Sequence, residues 1–118
     1  MALSPKKIVD LAHQAADEKK ATDITVLDIS HLSIICDYFL ICTGRSSTQV
    51  QAVANHIKDQ LEEAGVKPLR VEGFREGSWI LIDYGDVVIH IFQQLEREFY
   101  NLERLWGDAN VVELSARV

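Results

Sequence analysis

Apolar residues along this chain recur at helical spacing in some stretches and in strict alternation in others, and the changes of rhythm mark out the elements. Ser4 followed by Pro5 reads as an N-cap and first helical position, and Ile8, Val9, Leu11, Ala12, Ala15 and Ala16 form one stripe as far as Lys20. From Asp23 to Ile29, Ile24, Val26 and, imperfectly, Asp28 alternate with Thr25, Leu27 and Ile29, which predicts a strand with a mostly buried face. Asp37 to Thr43 is apolar on both faces and fits a central strand. Gly44 opens a turn, Ser46 and Gln49 make a capping-box pattern, and Val50, Val53, Ala54, Ile57, Leu61 and Ala64 carry a second helix to Gly65. Val66 to Phe74 holds Pro68 near its start, which favours an edge or a strand entry. Strand, helix and strand here suggest one right-handed crossover.

The stretch from Ser78 to Phe92 predicts a hairpin closed at Gly85–Asp86, with Tyr84 opposite Val87. That register gathers Ile80, Ile82, Ile89 and Ile91 on one face, with Tyr84 and Val87 at its edge, and this is a core face. The other face receives Trp79, Leu81 and Asp83 from one strand and Val88, His90 and Phe92 from the next. Small antiparallel hairpins usually turn a polar face to water, so either another element covers this one or a partner does. Gln93 to Trp106 then reads as a last helix with Leu95, Phe99, Leu102 and Trp106 on one stripe. After Gly107 no pattern can be assigned, and the tail from 107 to 118 is expected to be partly ordered or to lie along the edge of the domain.

The expected fold is α/β, an α+β sandwich on a mixed sheet of about five strands, in the order helix, two strands, helix, three strands, helix. At 118 residues, 47% of them hydrophobic, one domain spanning 1–118 is large enough for a core without disulfides or metals. A net charge of −6 argues against simple phosphate-backbone binding and suits a basic protein partner. No apolar run approaches the length of a membrane span and the start lacks the pattern of a signal peptide, so a cytoplasmic protein is expected. Cys36 and Cys42 lack metal or redox spacing and read as reduced core residues.

Chemistry is sparse. Gly44-Arg45-Ser46-Ser47, between a strand and a helix N-terminus, could hold a phosphate, but it has neither the lysine of a Walker loop nor repeated glycines. A nucleotidyl transferase would need Asp-x-Asp on a strand after a Gly-Ser turn to hold two divalent metals. Gly77-Ser78 is followed only by Asp83 and Asp86, which the turn separates. Asp83 and His90 are diagonal neighbours in the hairpin register and read as a polar pair on a contact surface, since no nucleophile is placed beside them. His13, His31 and His56 lack metal-ligand spacing. No catalytic residue, metal or cofactor is assigned.

The segments CDYFLICTGRSSTQVQAVA, VEGFREGSWILIDYGDVVIHIF and REFYNLERLW together resemble the ribosomal silencing factor family, also called RsfS or Iojap-like, over nearly the whole chain. The resemblance implies a nucleotidyltransferase-like fold without the catalytic carboxylates. It also implies binding to the large ribosomal subunit through its ribosomal protein number fourteen (L-fourteen) at the intersubunit face, which blocks small-subunit joining and lowers translation under nutrient limitation. Family-matching positions Trp79, Leu81, Asp83, Tyr84 and His90 are the implied partner contacts, with Trp79 as aromatic anchor, Leu81 as its apolar neighbour and Asp83 as acceptor for a Lys or Arg. Arg97, Tyr100 and Glu103 also match, and a polar network bracing the last helix explains them equally well. Two alternatives stand beside this reading. One is a nucleotide-binding or transferase-like protein using the Gly44 to Ser47 turn, and the other is a homodimer that hides the apolar face. Contact with ribosomal RNA stays open.

Overall fold

Two long helices cover one face of a six-stranded sheet, and a short broken pair covers part of the other. The computed structural model describes residues 3–112. Its elements are α1 (Pro5–Glu18), β1 (Thr22–Asp28), β2 (Tyr38–Gly44), α2 (Ser47–Glu63), β3 (Arg70–Glu72), β4 (Trp79–Asp83), β5 (Val87–Gln93), α3 (Gln94–Tyr100), α4 (Leu102–Leu105) and β6 (Asn110–Val111). The strands lie in the order β3-β4-β5-β2-β1-β6. β2 and β5 run parallel at the centre and the remaining pairings are antiparallel, giving the expected mixed α+β sheet. The count exceeds the expected five because Asn110 and Val111 add a short strand alongside β1, which puts the start of the tail on a sheet edge. Positions 113–118 of that tail lie outside the described residues.

Local chemistry sets the long helices. The Ser4 side chain accepts from the Lys7 amide and Pro5 occupies the first turn, while Ser46 accepts from Gln49 at the start of α2. The Gln49 side chain does not close the expected box on Ser46. Its oxygen accepts from the Arg45 amide at 2.6 Å and its nitrogen reaches the Lys19 and Lys20 carbonyls, tying α2 to the end of α1. Ala12, Ala15 and Ala16 of α1 and Val53, Ala54 and Ile57 of α2 are buried in one core with Leu40, Cys42 and the hairpin isoleucines. The hairpin register is the expected one: Ile80 opposes Ile91, Ile82 opposes Ile89, and the Tyr84 amide donates to the Val87 carbonyl.

The last helix differs from its sequence pattern. β5 continues to Gln93, and the helical stretch breaks at Asn101, whose φ of 45° is left-handed. The Asn101 amide donates to Arg97 O as α3 ends, and its side-chain oxygen accepts from Arg104 N as α4 begins. Asparagine enters this conformation at lower cost than most residues, so the stop falls there. The bend separates the supposed stripe: Leu102 and Trp106 turn onto the sheet, whereas Leu95 and Phe99 are 78% and 80% exposed.

Candidate docking site

The register dictates what the second sheet face carries. Paired residues share a face, so Arg70 and Glu72 of β3 lie beside Asp83 and Leu81 of β4, which lie beside Val88 and His90 of β5. A second apolar cluster forms on the inner strands of this face from Leu27, Ile29, Cys36, Ile41 and Phe92, closed over by Phe39, Leu102 and Trp106. The explanation that another element of the chain covers the apolar hairpin face therefore holds in part. The chain covers its β5-β2-β1 side, and a strip along β3 and β4 stays uncovered, with Trp79 and Leu81 half-buried. Beside them is a slot of about 210 Å³ lined by Glu72, Gly73, Trp79 and Leu81.

Trp79 stands where the covered and uncovered parts meet. Its ring stacks on Phe92 at 4.9 Å between centroids, and Tyr100 of α3 lies against it at 4.5 Å. Its indole Nε1 donates to His90 Nδ1 at 3.1 Å. The expected Asp83–His90 pair is not formed, because the cross-strand diagonal gives His90 to Trp79. Asp83 instead turns to the strand end, where its carboxylate accepts from the Gly85 amide and from Arg70 Nε. His90 itself is 4% exposed, and Nε2 has no hydrogen-bond partner among the described residues. Tyr84 belongs to the other face, buried at 8% exposure with the isoleucine core, so it does not share a surface with Trp79 and Leu81.

Burial pushes the His90 imidazole down to about 4 from its ordinary 6.5. Between those values an unfolded chain takes up a proton that the folded one refuses. Stability present above 6.5 is therefore lost as pH falls toward 4, by about 3 kcal/mol in all. Urea unfolding of wild type and His90→Asn, followed from about pH 7 to about pH 4.5, should show this slope only in the wild type.

Arg97, Tyr100 and Glu103 divide between two roles. Arg97 is the one buried residue of α3, and its guanidinium binds the Asp23 carbonyl at 2.6 Å, Thr43 Oγ1 at 2.8 Å and Glu103 at 2.7 Å. The register of β1 shifts between Thr22 and Thr25, with Asp23 at φ 49°, and Arg97 takes the carbonyl at that bulge. This is the bracing network. Tyr100 stands apart from it, packed on Trp79, Phe92 and Phe99.

Glycine shapes the approach to Trp79. Gly73 has φ 79°, and a Cβ there would collide with the Trp79 carbonyl oxygen. Gly73→Ala should cost about 2 kcal/mol in urea unfolding and alter tryptophan fluorescence as β4 shifts. At Gly77 a Cβ would lie 2.7 Å from that of Ser47, so this loop closes directly on the Gly44–Ser47 turn. Two polar groups of that turn are engaged: Gln49 takes the Arg45 amide, and Ser46 caps Gln49. Both serve the helix start. Among the described residues no group of three or more His, Cys, Asp or Glu could hold a metal ion, and no helix is long and apolar enough to cross a membrane. Cys36 and Cys42 are buried thiols, and burial pushes Cys36 up to about 11.

The sequence reading missed Arg70 and Glu72 as members of the face and the exposure of Leu95 and Phe99. Strand alternation alone would have placed Glu72 beside Leu81 had the β3–β4 register been known. Asn101 was the visible signal for the broken helix.

Fold and site together define a class: a small α+β protein with a half-covered aromatic sheet face. Two crystal structures share the architecture. A protein from Bacillus halodurans is 44% identical with a TM-score of 0.82, over 92% of this chain and 99% of that one. A protein from Chromobacterium violaceum is 36% identical with a TM-score of 0.87, over 97% and 94%. The family model described as "Ribosomal silencing factor during starvation" (RsfS) matches residues 2–118. Among relatives, the ribosomal silencing factor RsfS of Bacillus subtilis is 50% identical over 95% of each chain. The chloroplast protein Iojap of Zea mays is 40% identical over 86% of this chain and 44% of its own length. The chain belongs to the ribosomal silencing factor family.

Proposed function

We propose that this protein represses translation in the cytoplasm by binding the large ribosomal subunit. It docks through the β3–β4 strip on ribosomal protein L-fourteen at the intersubunit face and keeps the small subunit from joining when nutrients are scarce. The observation that carries this reading is the strip itself, where Trp79 and Leu81 offer an apolar anchor beside the carboxylates of Glu72 and Asp83. On a chain of net charge −6, that combination suits a basic protein surface, with association that slows as salt rises. The action is steric and needs no reacting group. Purified large and small subunits, mixed with increasing amounts of the protein, should form fewer joined ribosomes. Unchanged joining at saturating protein would overturn the proposal. Light scattering across dilution separates a homodimer from this mode of action.

Arg70 modifies the expected role of Asp83. Its guanidinium bridges Glu72 at 2.7 Å and Asp83 at 3.2 Å, so a partner's cation would have to displace it. Exposed pairs of this kind contribute only about 0–1 kcal/mol and yield readily. Arg70→Met should therefore tighten binding to large subunits about threefold at low salt, measured by co-sedimentation.

A further inference from the structure

The geometry points to His90 as a positioning residue for the docking site: it does not touch the partner, and it acts by fixing the orientation of the Trp79 indole through the hydrogen bond that its Nδ1 accepts. The inference rests on the reading of the β3–β4 strip as the docking surface.

The Trp79 ring stacks on Phe92 at 4.9 Å between centroids and meets Tyr100 at a 45° tilt, and an indole carries its N–H on one edge alone, so the ring's orientation decides where that polar group lies. In the structure Nε1 points to β5 and donates to His90 Nδ1 at 3.1 Å, while Trp79 lines the slot on the β3 side with Glu72, Gly73 and Leu81. The hydrogen bond therefore selects which edge of the indole the slot presents. It also commits the indole N–H inward, so the partner meets only the hydrocarbon part of the ring.

An indole N–H can only donate, so Nδ1 of His90 must carry a lone pair and the ring's hydrogen must sit on Nε2. Phe39 meets the His90 ring edge-on at 4.8 Å, and Nε2 finds no hydrogen-bond partner among the described residues. A leucine would fill this place without burying an unpartnered N–H. What it could not supply is an acceptor for Trp79, and that is the property the buried histidine contributes.

Two variants and one spectroscopic measurement test this. In the wild-type protein, nitrogen NMR of the imidazole should show His90 protonated on Nε2 only, and the Trp79 indole N–H should exchange slowly with water. His90→Leu keeps an apolar filling and removes the acceptor. Its indole N–H should exchange at least ~10-fold faster, and its affinity for large subunits should fall ~10-fold. His90→Asn, whose side-chain oxygen can take the place of Nδ1, should recover most of both. In a Trp79→Phe background, where no indole N–H remains, His90→Leu should cause no further loss of binding. The inference is overturned if Nδ1 carries the hydrogen, if His90→Leu binds as wild type while Trp79→Ala does not, or if the Asn and Leu variants lose affinity equally. Should His90→Leu fail to fold, the imidazole spectrum and the Asn variant still decide. Unimpaired binding by Trp79→Ala would instead remove the docking reading itself, and this inference with it.

Discussion

Replacing Trp79 by alanine is expected to lower affinity for large ribosomal subunits by at least ~100-fold, a loss of about 3 kcal/mol. The size follows from its position: an aromatic side chain at the inner border of the uncovered strip, held by Phe92, Tyr100 and His90 and lining the slot beside Leu81. Those same contacts mean that the variant also loses stability. For a half-buried tryptophan about 2 kcal/mol is expected, less than a fully buried ring costs, and within the margin of an ordinary domain. The protein should remain folded at room temperature with a lower urea midpoint. Co-sedimentation with large subunits and urea unfolding, done on the same preparation, separate the two effects. Binding retained within ~3-fold of wild type would show that the surface lies elsewhere.

The second large effect is expected at Arg97. Changing it to methionine should lower the unfolding free energy by about 3 kcal/mol, although the charge lies on a short surface helix. α3 has no buried apolar residue, and Leu95 and Phe99 point to solvent, so beyond Tyr100 on Trp79 its attachment rests on the guanidinium. Without Arg97, the buried Thr43 hydroxyl and the Asp23 carbonyl lose their donor. Glu103, at the more exposed end of the ion pair, regains water and suffers less. Arg97→Lys should recover only part of the loss, because one ammonium cannot reach acceptors spread over β1, β2 and α4. Urea unfolding gives the magnitude. Hydrogen exchange should show α3 loosening first, and with it Tyr100 leaving Trp79. A loss below about 1 kcal/mol would mean that other contacts hold α3 in place.

Much of this arrangement could be read from the residues because it depends on short-range rules. Side chains alternate along a strand, so the Tyr84–Val87 turn was enough to sort the hairpin into its isoleucine face and its Trp79 face. Ser4, Pro5 and Ser46 announced the helix starts through chemistry confined to three or four neighbours. His90 and Asp83 were placed on the correct face by the same rule and paired wrongly. Alternation says which residues are near one another but not which rotamers they take, and the Trp79 indole offered His90 a better-placed donor.

What the sequence by itself determined is the identity of the two sheet faces, the central place of β2 and the start of each long helix, all consequences of periodicity and capping within a few residues. The tertiary structure alone decided how much of the second face is left open. That depends on where α3 and α4 land, which is set by a left-handed Asn101 and by Arg97 reaching Asp23 and Thr43 across the fold. Contacts between residues so far apart in the chain leave no local pattern, because the geometry that joins them exists only once the sheet has formed.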